Sequence, residues 1–218
     1  MPDPKPRNAV APLLALAVIG LLAVVATRHA SSAASSGRAV GHLSAAERAA
    51  TFTFDPATAP ADRTAVLTAV ADARPEAQRL VAAVDGLVDI QIATTAAGVV
   101  GTTQQRGDRF SMVLNLGGVS RRYGRRGIDR LVQHELGHVV DFALVPPALH
   151  QQLDAAIPLG YGCDQQMMGG CANTRERFAE SFAKWASGDI GVDLYLGYKV
   201  PPPDDLANWG APLVALAG

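Results

Sequence analysis

The spacing of apolar residues along this chain alternates between the period of a β-strand and the period of an α-helix. Alternating apolar and polar residues predict strands at 88–93 (VDIQIA) and at 109–117 (RFSMVLNLG). The segment VVGTT at 99–103 is a candidate third strand. The sequence therefore predicts a small sheet in the middle of the chain.

Apolar residues three and four positions apart predict helices before and after this sheet. Their boundaries carry the usual signals, which are proline in the first turn, proline or glycine beyond the end, or asparagine at the N-cap. Helices are predicted at 61–73, 75–84, 127–144, 147–157 and 173–187, and a turn-rich connection is predicted at 117–127 (GGVSRRYGRRG). Helices combined with a small sheet indicate an α+β fold.

The first 43 residues differ from the rest. Residues 9–27 are apolar and uncharged, and lysine and arginine precede them within residues 1–8. This length and charge distribution predict a transmembrane anchor, with residues 1–8 cytoplasmic and the remainder outside the cytoplasm. A cleaved signal segment, which would give a secreted protein, is the alternative. Residues 28–43 are rich in Ser, Ala and Gly and predict a flexible tether to one globular domain at 44–218.

Net charge and cysteine content indicate which partners and which redox compartment to expect for the protein. The formal net charge of -1 gives no long-range attraction for nucleic acid, so we expect no nucleic-acid partner. The basic cluster at 121–126 is either a solvated surface segment or a subsite for an anionic substrate. The two cysteines, Cys163 and Cys171, lie on the predicted outer side of the membrane, where a pair so close in sequence predicts a disulfide.

The predicted helix at 127–144 contains His134, Glu135 and His138 in the sequence HELGH. Residues four apart lie on the same face of a helix, so both imidazoles can bind one ion while Glu135 reaches a water molecule. In H-E-x-x-H the two histidines hold zinc and the glutamate is the general base. The alternative is two surface histidines on an ordinary amphipathic helix. The metzincin subclass is excluded because Leu144 stands where its third histidine would be.

A catalytic zinc usually needs a third protein ligand. The remaining histidines, His29, His42 and His150, are isolated in the sequence, and we expect them to be solvated. The third ligand should therefore be a carboxylate.

Glu176 and Glu180 lie four apart on the predicted helix at 173–187, so one can bind the metal while the other hydrogen-bonds a ligand histidine. Glu176 also fits a capping box with Asn173, and Asp141 is a rival ligand or, alternatively, a hydrogen-bond partner of a ligand histidine.

The two motifs together, HELGHVVD and ERFAESF, resemble the catalytic domain of the anthrax lethal factor family, which includes secreted Pro-Pro endopeptidases. The resemblance covers roughly residues 105–187. It implies a zincin-like metallopeptidase fold of the gluzincin type, with one zinc per chain bound by His134, His138 and Glu176. It also implies that Glu135 activates the water and that Glu180 supports the ligands. Proline-rich protein or peptide substrates are implied in the same way.

This family places a tyrosine shortly before the third ligand, where its hydroxyl stabilises the oxyanion. Gly169 stands at the matching distance, so the resemblance implies another tyrosine for this role. Tyr161 is the candidate between the two motifs, and Tyr195 and Tyr198 are candidates beyond them. We therefore expect an extracytoplasmic zinc endopeptidase whose strand at 109–117 is the edge on which an extended substrate pairs. A zincin-fold binding or adhesion module without activity is the alternative.

Overall fold

The computed structural model describes residues 52–96, 98–160, 172–191, 194 and 196–217. In these ranges the chain is a mixed α and β domain. The predicted anchor at 9–27, the predicted tether at 28–43 and the cysteine pair lie outside the described residues, as does the predicted domain start at residue 44. Across the described ranges, no helix has both the length and the apolar character needed to cross a membrane.

The sheet has four strands in the order β1, β2, β4, β3. β1 runs parallel to β2 and β2 parallel to β4, whereas β3 is antiparallel to β4. The strands are β1 (Thr53–Phe54), β2 (Val88–Ile92), β3 (Gly101–Arg106) and β4 (Arg109–Leu114). β1, which the apolar spacing did not predict, has only two residues and so carries almost no periodic signal.

β3 and β4 form a hairpin in which Arg106 pairs with Arg109. Gly107 in the connecting turn has a φ of 65°, which glycine adopts without strain. β4 has β2 on one side and β3 on the other, so the prediction that the strand at 109–117 is an edge strand is wrong. β3 is the edge, and it begins two residues later and ends three residues later than the 99–103 candidate strand.

Six α-helices lie within the described residues. The five predicted helices are all present; four have boundaries within two residues of the prediction, and the one predicted at 127–144 begins at Leu116. The sixth helix, which is the last along the chain, was not predicted. Its residue Trp209 donates a hydrogen bond from Nε1 to the Leu153 carbonyl oxygen at 3.1 Å. The helices are α1 (Pro60–Ala71), α2 (Pro75–Ala82), α3 (Leu116–Leu144), α4 (Pro147–Ala155), α5 (Thr174–Ser187) and α6 (Leu206–Val214).

The segment predicted as a turn-rich connection, 117–127, is helical, so that prediction is wrong. The predicted strand at 109–117 ends at Leu114, because Asn115 caps α3 and its side-chain oxygen accepts a hydrogen bond from Gly118 N at 2.9 Å. α3 contains one kink, at Gly124, where φ is 63° and ψ is -153°. The glycines that indicated turns therefore begin and bend a helix that continues into the HELGH segment.

α3 packs closely against α5, and this contact brings the two predicted metal-binding motifs together. The residue at the crossing is Gly137, where an added Cβ would lie 3.1 Å from Ala179 Cα and 3.1 Å from the Phe182 ring. The absence of a side chain at Gly137 therefore lets the two backbones approach. Leu131 and Leu136 on α3 are fully buried in the same core as the β4 residue Met112.

Candidate metal centre

His134 and His138 lie one turn apart on α3, and Glu176 lies in the first turn of α5. The two imidazole rings are 5.0 Å apart between centroids and almost perpendicular, at 82°. The side-chain oxygen of Asn173 accepts hydrogen bonds from Arg175 N and Glu176 N at 2.9 and 3.0 Å. Asn173 thus performs the predicted N-capping, and the Glu176 carboxylate is free to face the histidines.

The spacing of the ligand atoms fits a single metal ion. Glu176 Oε2 lies 3.1 Å from His134 Nε2, and Glu176 Oε1 lies 3.6 Å from His138 Nε2. Bonds of about 2.0–2.2 Å in a tetrahedral site put neighbouring ligand atoms roughly 3.3–3.6 Å apart. The ligand atoms of His134, His138 and Glu176 all lie within 4.8 Å of one another, so this group could hold a metal ion.

Glu180 lies on the same face of α5 as Glu176 and fixes the orientation of His134. Glu180 Oε2 lies 3.2 Å from His134 Nδ1, which donates its proton to this carboxylate. The other ring nitrogen, Nε2, faces Glu176 and is the atom available to a metal. A hydrogen bond from Glu180 to one of these two histidines is the contact that the sequence predicted.

Two buried cations surround the same Glu180 carboxylate. Arg130, whose side chain is 1% exposed, donates from Nη1 to Glu180 Oε1 at 2.7 Å. Lys184 Nζ lies 3.2 Å from the same oxygen and also donates to the Val200 carbonyl oxygen at 2.5 Å. Burial lowers the pKa of Lys184. For Glu180, burial raises the pKa, but the His134 hydrogen bond and the Lys184 and Arg130 charges outweigh it and lower the pKa to about 2.

The electrostatics of His134 and Glu176 are coupled. Burial lowers the pKa of His134, but hydrogen bonds to Glu176 and Glu180 outweigh burial and raise the pKa to about 10. Burial raises the pKa of Glu176, whereas hydrogen bonds from His134 and His138 lower it well below the ordinary value. Glu176 and Glu180 are therefore ionised at neutral pH, as metal binding and ligand orientation require.

Glu135 faces the same cavity as the three potential ligands. It is 3% exposed, and its Oε2 accepts a hydrogen bond from the Thr103 hydroxyl of β3 at 2.7 Å. The cavity has a volume of about 630 Å³ and is lined by His134, Glu135, His138 and Glu176 together with part of β3. A buried carboxylate beside three potential ligands can receive a proton from a water molecule in this cavity.

Exposed apolar side chains form the outer walls of the cavity. Val99, Phe142 and Tyr198 are each between 38% and 43% exposed. Tyr198, one of the three tyrosine candidates, brings a phenol into the cavity wall. Tyr161 and Tyr195, the other two candidates, lie outside the described residues. His29 and His42 lie outside them as well.

Asp141 and His150 depart from what the sequence predicted. Asp141, predicted as a ligand or as a partner of a ligand histidine, is buried and bonds His150 Nδ1 at 2.7 Å and Arg175 Nη1 at 2.6 Å. His150, predicted to be solvated, is buried and its ring stacks on Phe178. Helix α4 turns this histidine inward, where the Asp141 carboxylate forms a hydrogen bond with one of its ring nitrogens.

The basic cluster at 121–126 has structural partners. Arg125 pairs with Asp129 on the same helix and with Asp72, and Arg126 pairs with Asp189. None of the arginines in this cluster lines the described cavity of the metal-ligand group. These contacts favour the interpretation of a solvated surface segment.

Sequence reasoning missed three residues of the site. Arg130 and Lys184 lie four residues from His134 and Glu180 on the same helices, so helical spacing could have indicated them. Thr103 offers no such signal because it reaches Glu135 across tertiary structure. Comparisons with known protein families, characterised proteins and solved structures find no match to this chain.

Proposed function

We propose that this protein is a zinc-dependent endopeptidase of the zincin-like, gluzincin type. The observation that supports the proposal is the convergence of three potential ligands and one additional carboxylate in one cavity. His134, His138 and Glu176 supply two imidazoles and a carboxylate, the donor set of catalytic zinc sites that keep an open position. A purely structural site has no use for an additional carboxylate, Glu135, beside that open position.

Bound zinc would activate a water molecule and polarise the scissile carbonyl. Glu135 accepts a proton as the water oxygen adds to the carbonyl carbon, and then delivers this proton to the amide nitrogen as the C–N bond breaks. The second proton of the water passes from the new carboxyl group to the amine, so the products are a carboxylate and a protonated amine. Glu180 keeps the Nδ1 proton on His134 throughout, so that Nε2 stays directed at the metal position.

The edge strand β3 supplies a binding surface for an extended peptide. Asn115 N donates to the Val100 carbonyl oxygen at 2.9 Å, which directs the Val100 backbone toward β4. Because backbone groups alternate in direction along an antiparallel strand, Gly101, Thr103 and Gln105 direct theirs away from β4. These groups can pair with a substrate backbone, and the apolar walls at Val99, Phe142 and Tyr198 can receive its side chains.

We propose Tyr198 as the residue that stabilises the oxyanion, because it lines the cavity that holds the three potential ligands. The proposal also places the catalytic domain outside the cytoplasm, with residues 9–27 as anchor or cleaved signal and a disulfide between Cys163 and Cys171. Proline-rich substrates remain an implication of the family resemblance.

The experiment uses the full-length chain and compares wild type with Glu135→Gln and Tyr198→Phe. Zinc content and cleavage of a peptide library are measured for each protein. We expect one zinc per chain in all three, no cleavage by Glu135→Gln, and about 10²–10³-fold lower kcat for Tyr198→Phe.

Retained turnover in Glu135→Gln would contradict the peptidase. Zinc bound by the wild type without any cleavage would favour the binding or adhesion module, and absence of zinc binding would contradict both functions. Unchanged kcat in Tyr198→Phe would leave the peptidase intact and exclude Tyr198 from the oxyanion role.

A further inference from the structure

The Glu135 carboxylate is held by the edge strand β3 and not by its own helix. The Thr103 hydroxyl donates to Glu135 Oε2 at 2.7 Å and lies 3.2 Å from the Glu135 carbonyl oxygen. Within the described chain, no other side chain donates to this carboxylate. Because Glu135 is 3% exposed, solvent does little to hold its carboxylate, and the Thr103 hydroxyl fixes one of its two oxygens.

The other carboxylate oxygen, Oε1, occupies the space beside Gly101. A Cβ added at Gly101 would overlap Glu135 Oε1 and would lie 2.8 Å from Leu131 Cδ1. Gly101 has no positive φ, so the backbone conformation does not demand glycine there. What demands glycine is the close approach of the Glu135 side chain.

We propose that Gly101 and Thr103 are positioning residues for the general base. The Thr103 hydroxyl fixes Oε2, and the absence of a side chain at Gly101 leaves Oε1 free to receive the proton of the attacking water. This inference rests on the proposed endopeptidase function. It adds that the strand offered to the substrate backbone also sets the orientation of the base, so substrate and base share one rigid element.

The consequence for catalysis is specific. Without the Thr103 hydroxyl the carboxylate can rotate about its terminal bond, and the proton-accepting oxygen is no longer held in line with the water. Misplacement of a reacting group by about 1 Å can cost on the order of 100-fold in rate. Substrate binding through the β3 backbone does not need the hydroxyl, so the loss should appear in kcat and not in KM.

The test compares Thr103→Val, Thr103→Ser and Gly101→Ala in the full-length chain. Thr103→Val removes the hydroxyl with little change in side-chain volume, and Thr103→Ser retains the hydroxyl. Thr64→Val is the matched control, because its hydroxyl bonds only within α1, to the Pro60 carbonyl oxygen at 3.0 Å. We expect roughly 10–100-fold lower kcat for Thr103→Val, with unchanged KM and zinc content, and a fall in kcat at least as large for Gly101→Ala. Thr103→Ser should recover most of the rate, and Thr64→Val should match wild type.

A second measurement does not depend on turnover. The shift in the midpoint of urea unfolding caused by Thr103→Val is measured in wild type and in Glu135→Ala. If the hydroxyl holds the carboxylate, Thr103→Val lowers the midpoint in wild type and lowers it distinctly less in Glu135→Ala. Equal shifts in both backgrounds, or a Thr103→Val kcat within twofold of wild type, would overturn the inference.

The two measurements separate failure of this inference from failure of the proposed function. A wild-type protein that hydrolyses nothing contradicts the peptidase, while the unfolding cycle still decides whether Thr103 holds Glu135. A wild type that cleaves, combined with a fully active Thr103→Val, contradicts only the positioning role. If Thr103→Val does not fold, Thr103→Ala gives the same comparison.

Discussion

His134 is the residue on which most of the site's electrostatics depends. Its two ring nitrogens face two carboxylates, Nε2 toward Glu176 at 3.1 Å and Nδ1 toward Glu180 at 3.2 Å. The hydrogen bonds to these carboxylates outweigh burial and raise the pKa of His134 to about 10. At neutral pH the ring therefore carries a proton on each nitrogen, and a metal can bind Nε2 only when that proton leaves.

The first prediction concerns this proton. Between pH 7 and pH 8.5, below the raised pKa, zinc affinity should increase about tenfold per pH unit because one proton leaves His134 for each ion bound. Calorimetry in buffers of different ionisation enthalpy should show release of about one proton per zinc. An ordinary histidine would already be neutral in this range. An affinity that is independent of pH above pH 7 would therefore show that the two carboxylates do not retain the proton.

The second prediction separates the two glutamates of α5. Glu176→Gln removes a ligand and should abolish stoichiometric zinc binding at micromolar zinc. Glu180→Gln keeps all three ligands but replaces the charged acceptor at His134 Nδ1 with a neutral amide, so zinc affinity should fall about 10–100-fold. Competition with a chelator of known affinity measures both. Equal losses in the two variants would mean that Glu180 is itself a ligand.

At the residue scale, the sequence predicts what lies on a single helix and misses what lies across elements. Helical spacing was sufficient to predict that His134 and His138 share a face. Thr103 could not be predicted in this way, because its contact with Glu135 depends on how β3 packs on α3. His150 could not be predicted either, since a lone histidine in sequence gives no indication that Asp141 will face it.

At the scale of elements, the crossing of α3 and α5 determines whether the two motifs meet. Gly137 is the closest point, with an added Cβ 3.1 Å from Ala179 Cα and 3.2 Å from the Ala179 carbonyl oxygen. Both atoms belong to the backbone of α5 and cannot move without moving Glu176 and Glu180. The separation between the histidines and the glutamates is therefore set by a residue that binds nothing.

The third prediction tests this crossing with Gly137→Ala. The added methyl should force α5 away from α3, with a cost of about 1–3 kcal/mol from overpacking, partly offset by about 1 kcal/mol of improved helix propensity. Zinc affinity should fall because the Glu176 carboxylate moves away from the histidines. Gly117→Ala on the same helix is the control, since its added Cβ would make only an ordinary contact, 3.5 Å from Arg121 Nη1. Unchanged zinc affinity in Gly137→Ala would show that the crossing tolerates the methyl.

The fourth prediction concerns the edge strand β3. Peptide substrates carrying one N-methylated amide each should show raised KM only at alternate positions, because an edge strand pairs with every second residue. Each lost hydrogen bond of about 0.5–1.5 kcal/mol corresponds to a rise of roughly 2- to 12-fold. Methylation at positions beyond the paired segment is the control. A uniform effect, or none, would contradict pairing on β3.

The same strand shows why sheet order was harder to predict than strand position. The 109–117 segment has the clearest alternation in the chain, and it became the central strand β4 because both neighbouring strands pair with it. β3 contains Gly, Thr and Gln and is intermediate or exposed throughout, so its apolar signal is weak. The strength of the alternating apolar pattern depends on how deeply a strand is buried and not on its position in the sheet. The strand with the clearest pattern was for this reason wrongly assigned to the edge.

At the scale of the whole molecule, the α+β class was predictable because it needs only the number and type of elements. The helices and sheet of the described chain share one hydrophobic core, in which Leu131, Leu136 and Phe182 are fully buried. The metal-ligand group lies at a cavity beside this apolar core, where His134 and Glu176 are only partly buried. The domain should therefore fold without metal, in contrast to small zinc domains whose core is the metal site.

The fifth prediction follows from this separation of core and site. Chelation should lower the melting temperature of the full-length protein while leaving one cooperative transition. With free zinc at about 1,000 times its Kd, binding adds about 4 kcal/mol, and each kcal/mol shifts the melting temperature of a domain of this size by about 2–4 °C. Chelation should thus lower the melting temperature by roughly 8–16 °C.

Glu135→Gln, which keeps the ligands, should show the same shift, and His138→Ala should show little. Complete unfolding of wild type on chelation, measured by circular dichroism, would mean that the metal and not the shared core holds α3 against α5.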